Sequence, residues 1–239
     1  MKTYELNGTL RGVFGDSESW DADGIQMDFE NEVKKAVVAL DCTSDVLDYA
    51  FKAGADTVVT HHPLIFHPLD TVSVSDAVGK RVIKAAKYGI SVFSYHTCLD
   101  KTNGGVNDAL CEKLGVRGTY PFLPYGRRGE CENEMTLDEF VSFGEKALET
   151  KAQNVVDCGR KVKKVAVVSG SGKGEVADAY RSGADTYVTG EASHDAMIDC
   201  REYGMNLVCF THFATENVVI PRLAEIIREY VPEVIEYGI

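Results

Sequence analysis

The sequence has few of the features that mark secreted, membrane-bound or nucleic-acid-coating proteins. Its seven cysteines form an odd set without a C-x-x-C pair, so they predict neither a disulfide framework nor a zinc knuckle. No run reaches the roughly 18 apolar residues that a membrane span requires, and the first seven residues contain no apolar signal core. We therefore expect a reduced, cytoplasmic protein that does not enter a membrane.

Basic residues are also scarce. The chain has 25 Lys and Arg against 37 Asp and Glu, a net charge of −12, with short basic clusters at Arg127-Arg128 and residues 161 to 164. This balance argues against a protein that coats a nucleic-acid backbone, although an acidic chain can still bind a nucleotide through a metal ion. With 44% hydrophobic and 26% charged residues over 239 positions, the composition is that of a globular protein long enough for two domains.

The most informative stretch runs from Thr57 to Pro63 and contains two adjacent histidines. Residues Thr57 to Thr60 are β-branched and predict a buried strand, whereas Pro63 prevents further ladder pairing. His61 and His62 should therefore follow the C-terminal end of a strand. Open α/β sheets bind their ligands at that end of their strands.

The residues before this stretch complete a strand–helix–strand unit. Residues Lys34 to Leu40 read as a strand that is buried on both faces. Thr43 or Ser44 can cap a helix that runs through Lys52, and Gly54 would close it. The pattern predicts parallel strands and an α/β fold.

Two parts of the sequence repeat one another. The matches Lys34-Lys35 with Lys163-Lys164 and Gly54-Ala55-Asp56-Thr57 with Gly183-Ala184-Asp185-Thr186 have a constant offset, because 163 − 34 and 183 − 54 both give 129. A further block, Tyr88 to Phe93, matches Tyr203 to Val208 at an offset of 203 − 88, or 115. Three ordered matches indicate two similar α/β halves, although the second has Gly190-Glu191 in place of the histidine pair.

We place the two halves at residues 1–121 and 122–239, with residues 121 to 134 as the Pro- and Gly-containing junction. The C-terminal helix is a candidate to pack back on the first half. An active site in the cleft between such halves would take its ligands from both.

Metal-binding side chains follow the predicted strands of both halves. Strand Ile90 to Tyr95 precedes Asp100, and strand Met205 to Phe210 precedes His212 and Glu216, which are four residues apart. Together these strand ends offer three imidazoles and two carboxylates, from His61, His62, Asp100, His212 and Glu216. This set suits Zn, Mn, Fe, Co or Ni, and since five side chains exceed what one catalytic metal needs, it predicts two ions that share a carboxylate.

Three further residues are candidates for catalysis. Glu191 and His194 occupy the second-half position that matches the histidine pair, and could transfer protons or anchor substrate; a surface glutamate beside a helix cap is the competing interpretation. His96 is more consistent with a residue that orients a metal ligand than with a ligand itself. The loop Gly170 to Gly174 fails the P-loop pattern around Lys173, so a plain strand–helix turn is favoured over a phosphate site.

Taken in order, these motifs resemble a known family, the GTP cyclohydrolase I type 2 homologues, also called NGG-one-interacting-factor-three-like proteins. The resemblance covers nearly the whole chain and rests on Asp23-Gly24-Ile25-Gln26, Thr60-His61-His62-Pro63-Leu64-Ile65-Phe66, His96-Thr97-Cys98-Leu99-Asp100, Gly104-Gly105-Val106-Asn107-Asp108, Ser169-Gly170-Ser171-Gly172, Thr189-Gly190-Glu191 and His212-Phe213-Ala214-Thr215-Glu216. Several of these motifs are weak alone, whereas the ordered set is specific.

The resemblance implies a dinuclear site. One ion would be bound by His62, Asp100 and Glu216, and the other by His61, His212 and the second oxygen of Glu216. It also implies a homohexamer, a trimer of dimers. The sequence departs from the family where Phe213 replaces a common tyrosine and where Gly126-Arg127-Arg128-Gly129 replaces a common Gly-x-Gly-Arg loop.

Two functional hypotheses follow. The first is a metal-dependent hydrolase that acts on a nucleotide or a related cyclic amidine or amide, with His96, Glu191 and His194 in proton transfer or substrate contact. The second is a non-catalytic metal-binding adaptor or regulator whose hexamer is the functional form.

Overall fold

The structure, a computed structural model, describes residues 1–238. The chain divides into two compact units, which we call unit 1 and unit 2. Unit 1 comprises Met1–Thr102 together with the chain from Ile220 onward, and unit 2 comprises Asn103–Val219. The first unit is thus discontinuous in sequence, whereas the second is continuous.

Strands and helices alternate through most of the chain. The strands are β1 (Gly24–Met27), β2 (Lys35–Ala39), β3 (Thr57–Thr60), β4 (Ser91–Ser94), β5 (Val116–Pro121), β6 (Arg127–Met135), β7 (Asn154–Val156), β8 (Val162–Val168), β9 (Thr186–Thr189), β10 (Asn206–Cys209) and β11 (Glu233–Glu236). The helices are α1 (Thr3–Phe14), α2 (Ser44–Lys52), α3 (Ala77–Tyr88), α4 (Thr97–Lys101), α5 (Val106–Lys113), α6 (Leu137–Ala147), α7 (Val176–Arg181), α8 (His194–Tyr203), α9 (His212–Glu216) and α10 (Ile220–Arg228). Among the described residues, no helix has the length and apolar character to cross a membrane.

Unit 1 is built on a five-stranded sheet with the order β1-β4-β3-β2-β11, in which only β1 is antiparallel to its neighbour. All four residues of β3 are buried, as its β-branched sequence predicts. The helix starts also follow the sequence: the Thr43 hydroxyl accepts from Val46 N at 3.2 Å, and the Asp76 carboxylate accepts from Gly79 N at 2.6 Å. The α/β fold class is confirmed.

Unit 2 is built on a six-stranded sheet with the order β5-β6-β8-β9-β10-β7, whose central strands β8, β9 and β10 are parallel. Its outer strands run antiparallel to their neighbours. The three parallel strands correspond by the sequence repeat to β2, β3 and β4 of unit 1. In both units the motif-bearing segments follow the C-terminal ends of parallel strands.

A hydrogen-bond motif repeats with the sequence. Asp56 Oδ2 accepts from Lys34 N at 3.0 Å and Lys35 N at 3.1 Å. Asp185 Oδ2, which lies 185 − 56 or 129 residues later, accepts from Lys163 N at 3.1 Å and Lys164 N at 2.7 Å. Each carboxylate therefore ties the start of one parallel strand to the start of the next, in agreement with the inferred repeat.

The observed division differs from the predicted boundary after residue 121. That position lies inside unit 2, because β5 and β6 on either side of it pair as an antiparallel hairpin. Pro124 and Gly126 belong to the hairpin turn, whereas Gly129 lies within β6, where an added Cβ would come 2.6 Å from the Arg117 carbonyl oxygen. Turn-forming residues signal a hairpin and a linker alike, which is why the sequence pattern suggested a junction.

The C-terminal segment returns to unit 1. Helix α10 belongs to that unit, and β11 pairs in parallel with β2 in the register Glu233 with Lys35. The sequence suggested a C-terminal helix that packs back on the first half. The structure adds a strand to it.

Candidate metal centre

The histidine pair follows β3, at the C-terminal end of a fully buried parallel strand. His61 is completely buried, and its Nδ1 lies 3.0 Å from the Tyr95 carbonyl oxygen. His62 Nδ1 lies 2.9 Å from Asp41 Oδ1. Because a carbonyl and a carboxylate can only accept, each Nδ1 carries the proton, and the neutral ring then offers its Nε2 lone pair.

His96 joins the pair in unit 1. The ring centroids of His61 and His62 lie 5.1 and 5.6 Å from that of His96, and the three residues can place one nitrogen each within 4.8 Å of one another. His96 Nδ1 lies 3.0 Å from Asp21 Oδ1, so the same tautomer argument applies. These distances do not decide whether His96 is a metal ligand or a residue that orients a ligand. They place His96 beside the other metal-binding candidates.

Asp21 holds His96 and the start of α4 together. Its side chain is fully buried, and its Oδ2 accepts from Thr97 N at 2.9 Å and from Thr97 Oγ1 at 2.6 Å. Burial alone would raise the pKa of Asp21, but the hydrogen bonds from His96 and Thr97 outweigh it and hold that pKa well below its usual value. For His96, burial lowers the pKa, but the hydrogen bond to Asp21 and the negative charges of Asp100 and Asp21 together outweigh burial and raise the pKa above its ordinary value.

Asp100 lies in the short helix α4, which follows β4. Its Oδ1 is 3.8 Å from His61 Nε2, and its side chain is 16% exposed. The strand-end positions of unit 1 thus bring a carboxylate oxygen next to the nitrogen that His61 offers. Both atom types are ligands for the divalent ions that the sequence suggested.

Unit 2 contains a second pair of the same kind. Thr211 caps α9 by accepting from Ala214 N at 3.0 Å, which sets His212 and Glu216 one helical turn apart. His212 Nε2 lies 3.0 Å from Glu216 Oε2, and His212 Nδ1 lies 2.9 Å from Glu191 Oε1. Glu191 therefore orients a candidate ligand, whereas His194 is exposed at the start of α8 and its side chain forms no hydrogen bond with the described residues 1–238.

Two glycines leave room for this pair. Gly170 has a φ of +58°, and a Cβ built on it would overlap Glu216 Oε1 and lie 3.2 Å from His212 Nε2. A Cβ on Gly190 would lie 2.5 Å from Thr215 Oγ1 and 2.9 Å from His212 Cα. Only glycine permits the backbone to approach the pair so closely.

We expect Gly170→Ala to destabilise unit 2 and displace Glu216. The left-handed backbone alone would cost about 1–3 kcal/mol with a Cβ present, and the overlap with the carboxylate adds to it. Urea denaturation and metal content after dialysis would measure the two effects. Gly174→Ala is the matched control, because a Cβ there meets no atom within 4 Å; equal behaviour of the two variants would contradict the role given to Gly170.

The loop that contains Gly170 uses its backbone N–H groups internally. Ser169 N donates to Asn107 Oδ1 at 2.8 Å, Gly170 N to Thr215 Oγ1 at 3.0 Å and Gly172 N to Thr189 Oγ1 at 2.9 Å. These three groups are therefore not available to a phosphate. The geometry favours the plain turn of the two interpretations that the sequence left open.

Asp41 and Asp21, which orient His62 and His96, were not among the residues that the sequence indicated. Asp41 follows β2 as His61 and His62 follow β3, so the strand-end rule could have indicated it. Asp21 gave no such signal, because it lies in an irregular segment before β1. The thiols of Cys42 and Cys98 are buried, and burial raises the pKa of Cys42 to about 12 and also raises the pKa of Cys98. Burial of this kind is typical of structural cysteines.

The donor set fits divalent metal ions. Four imidazoles have Nδ1 within hydrogen-bond distance of a backbone or carboxylate oxygen, the arrangement that orients metal-binding histidines in proteins. Ligand bonds of about 2.0–2.2 Å place neighbouring donor atoms roughly 3 Å apart, which is the separation seen between His212 Nε2 and Glu216 Oε2. Gly170 provides the space that this pair needs.

Comparison with known proteins gives concordant matches. The sequence matches the family model Duf34/NIF3 (NGG1p interacting factor 3) over residues 13–239. A Clostridium perfringens protein named GTP cyclohydrolase 1 type 2 homolog is 32% identical over 230 residues, which cover 92% of this chain and 88% of the relative. NGG1-interacting factor 3 of Saccharomyces cerevisiae is 30% identical over 231 residues, which cover 84% of this chain and 80% of the relative.

A solved structure matches as well. The Bacillus cereus protein related to NIF3 has a TM-score of 0.91 and covers 100% of this chain and 97% of its own, with 21% sequence identity. Similarity at that level of identity shows the fold.

Proposed function

The chain belongs to the Duf34/NIF3 (NGG1p interacting factor 3) family, and from that membership we propose that it is a cytoplasmic protein that binds two divalent metal ions and hydrolyses a nucleotide or a related cyclic amidine or amide. His61, His62, Asp100, His212 and Glu216 would hold the ions, with Glu216 shared between them. The name of the Clostridium perfringens relative supports the substrate class.

The observation that carries the proposal is the common orientation of the histidines. A neutral imidazole whose Nδ1–H is held by an oxygen can use only Nε2 as a ligand. In unit 1 the Nε2 of His61 lies near Asp100, and in unit 2 the Nε2 of His212 lies near Glu216. Each half of the repeat thus presents an oriented nitrogen beside a carboxylate.

The chain's own residues have separable roles in this proposal. Bound divalent ions supply a Lewis acid and lower the pKa of water toward neutrality. Asp41 and Glu191 fix the rings of His62 and His212, and Asp21 fixes the ring of His96. His96 is then a candidate to accept or donate a proton at Nε2, with Asp21 stabilising the charged ring.

We expect His61→Ala to lower the metal content of the loaded protein from about two ions per chain to about one. The alanine removes one imidazole from one ion, whereas the other ion keeps His62 and Asp100. Elemental analysis after dialysis against a weak chelator is the measurement. His194→Ala is the control, since His194 is exposed, and retention of both ions by His61→Ala would remove it from the ligand set.

Turnover tests the catalytic part separately. The protein loaded with Mn²⁺ or Zn²⁺ would be incubated with GTP and related nucleotides, and hydrolysis that His96→Asn reduces at unchanged metal content would support the hydrolase. Failure of every metal and nucleotide to give turnover would exclude the cyclohydrolase activity and leave the metal-binding adaptor as the remaining hypothesis.

Light scattering tests the proposed homohexamer. A monomer at micromolar concentration would rule the homohexamer out.

A further inference from the structure

A polar cavity lies in unit 2, formed by the hairpin β5–β6 and the start of β8. Its volume is about 400 Å³, and its lining includes three cations, one aromatic ring and two acids, from Arg117, Arg128, Lys163, Tyr120, Glu130 and Glu132. None of these residues belongs to the candidate metal ligands. The cavity brings together Arg128 and Lys163, which come from the two basic clusters of the sequence.

The Arg128 side chain is largely buried, and its Nε lacks a hydrogen-bond acceptor within the described part of the chain. Only 7% of the residue is exposed, its guanidinium lies 5.4 Å from the centre of the Tyr120 ring, and its Nε is buried without an acceptor among residues 1–238. Its neighbour Arg127, on the opposite face of β6, donates from Nε to Asp108 Oδ1 at 3.0 Å. One arginine of the pair therefore has a carboxylate partner in the fold, and the other has a cavity.

The other two cations are not neutralised either. Lys163 Nζ donates to the Cys131 carbonyl oxygen at 2.7 Å and to that of Glu132 at 3.0 Å, and both acceptors are uncharged. Neither Lys163 nor Arg117 forms an ion pair with a described residue of the chain. A buried donor without an acceptor is costly, and this applies to Arg128. An anion in the cavity would supply an acceptor to the Arg128 guanidinium and would also face the positive charges of Arg117 and Lys163.

A backbone irregularity builds this arrangement. The register of β5 and β6 shifts between Arg117 and Tyr120, and Gly118 within the shift has a φ of +61°. In a regular strand, residues three apart face opposite sides, whereas here both Arg117 and Tyr120 line the cavity. Such bulges redirect side chains and are frequent beside functional sites.

We propose that this cavity binds a small phosphate monoester, with its phosphate held by Arg128, Arg117 and Lys163. Planar guanidinium groups pair with phosphate oxygens through two parallel hydrogen bonds, and a dianion matches three cations better than a single carboxylate does. Glu130 and Glu132 disfavour a second acidic group and can accept from N–H or O–H groups of the ligand. The volume of about 400 Å³ lies near the lower end of the usual range of about 300–1,000 Å³ for small-ligand sites and fits a compact metabolite.

The test is a calorimetric titration of the full chain with inorganic phosphate, after a chelator has removed divalent ions so that the metal centre cannot bind the anion. Saturable binding is expected, at least about tenfold weaker in Arg128→Gln and Arg117→Gln. Arg117 is exposed, so its variant should fold even if Arg128→Gln does not. Arg181→Gln is the control, because its side chain is 70% exposed and paired with Asp178.

Acetate and sulfate titrations distinguish the anion class. Phosphate binding that exceeds both would support the proposal, whereas equal binding of acetate would replace phosphate with a carboxylate ligand. Absence of saturable phosphate binding, or equal affinity in Arg117→Gln and the parent, would overturn it. This test is separate from the test of the metal site, because no candidate metal ligand is among the described residues that line the cavity. Glu216→Ala should therefore leave the phosphate affinity unchanged.

Discussion

Replacement of Glu216 by alanine is expected to reduce metal content from about two ions per chain to well below one. In the proposed site Glu216 is the residue that contacts both ions, because a carboxylate has two oxygens and can span cations about 3.5–4 Å apart, whereas a neutral imidazole offers one lone pair to one metal. Glu216 is 4% exposed and its Oε2 lies 3.0 Å from His212 Nε2. Its loss therefore removes a ligand from each ion at once.

The comparison with His61→Ala makes this result specific. Elemental analysis should give a larger loss for Glu216→Ala than for His61→Ala, and Glu225→Ala, an exposed change in α10, should retain the parent content. Thermal unfolding of each variant without metal would show that the fold is intact. Full retention of both ions by Glu216→Ala would transfer the bridging role to Asp100, the other acid of the set.

Asp21→Ala is expected to lower the free energy of unfolding by about 2–4 kcal/mol. The fully buried carboxylate accepts one hydrogen bond from His96 and two from Thr97. Hydrogen bonds to a charged group contribute about 1.5–3 kcal/mol each, and water or neighbouring groups that replace the carboxylate in the variant recover part of the loss. Urea denaturation in the presence of a chelator would measure the loss without a contribution from metal. Asp16→Ala, an exposed change in the same acidic segment, should have little effect.

The pH dependence of this difference follows from the two pKa shifts. The pKa of Asp21 is lowered by folding, so its contribution is present above the unfolded value of about 3.9 and is lost as pH falls through the folded pKa. The pKa of His96 is raised, so its contribution is present below about 6.5 and is lost as pH rises through its folded pKa. The parent and Asp21→Ala should therefore differ most between about pH 4 and 6.5, and a difference that grows steadily into alkaline pH would contradict the pairing.

The sequence predicted the parts of the site that follow regular strands. The β-branched residues before His61 and the helix cap Thr43 depend on local chemistry, and the structure has the predicted strand and helix there. Asp21 was not predicted, because its contact with His96 joins residues 96 − 21, or 75, positions apart and no periodicity encodes it. The contacts of the orienting residues depend on how the folded backbone brings distant positions together, and a single sequence does not specify that arrangement.

The cavity around Arg128 was missed for a related reason. Alternation along β6 separates Arg127 from Arg128, but the shift at Gly118 that places Arg117 beside Tyr120 depends on how two strands pair. The unit division was missed because β11 pairs with β2 across nearly the whole chain. Both features depend on which strands pair and in what register, which local propensity does not report.

The return of β11 to unit 1 also determines the order in which the sheets can be completed on the ribosome. Every strand of the unit 2 sheet lies within residues 103–219, so that sheet can form while later residues are still being translated. The unit 1 sheet must wait, because β2 keeps an unpaired edge until residues Glu233–Glu236 emerge. An open edge on a strand of valines and alanines invites pairing with other chains, so the nascent protein is most exposed to aggregation in the part that was synthesised first.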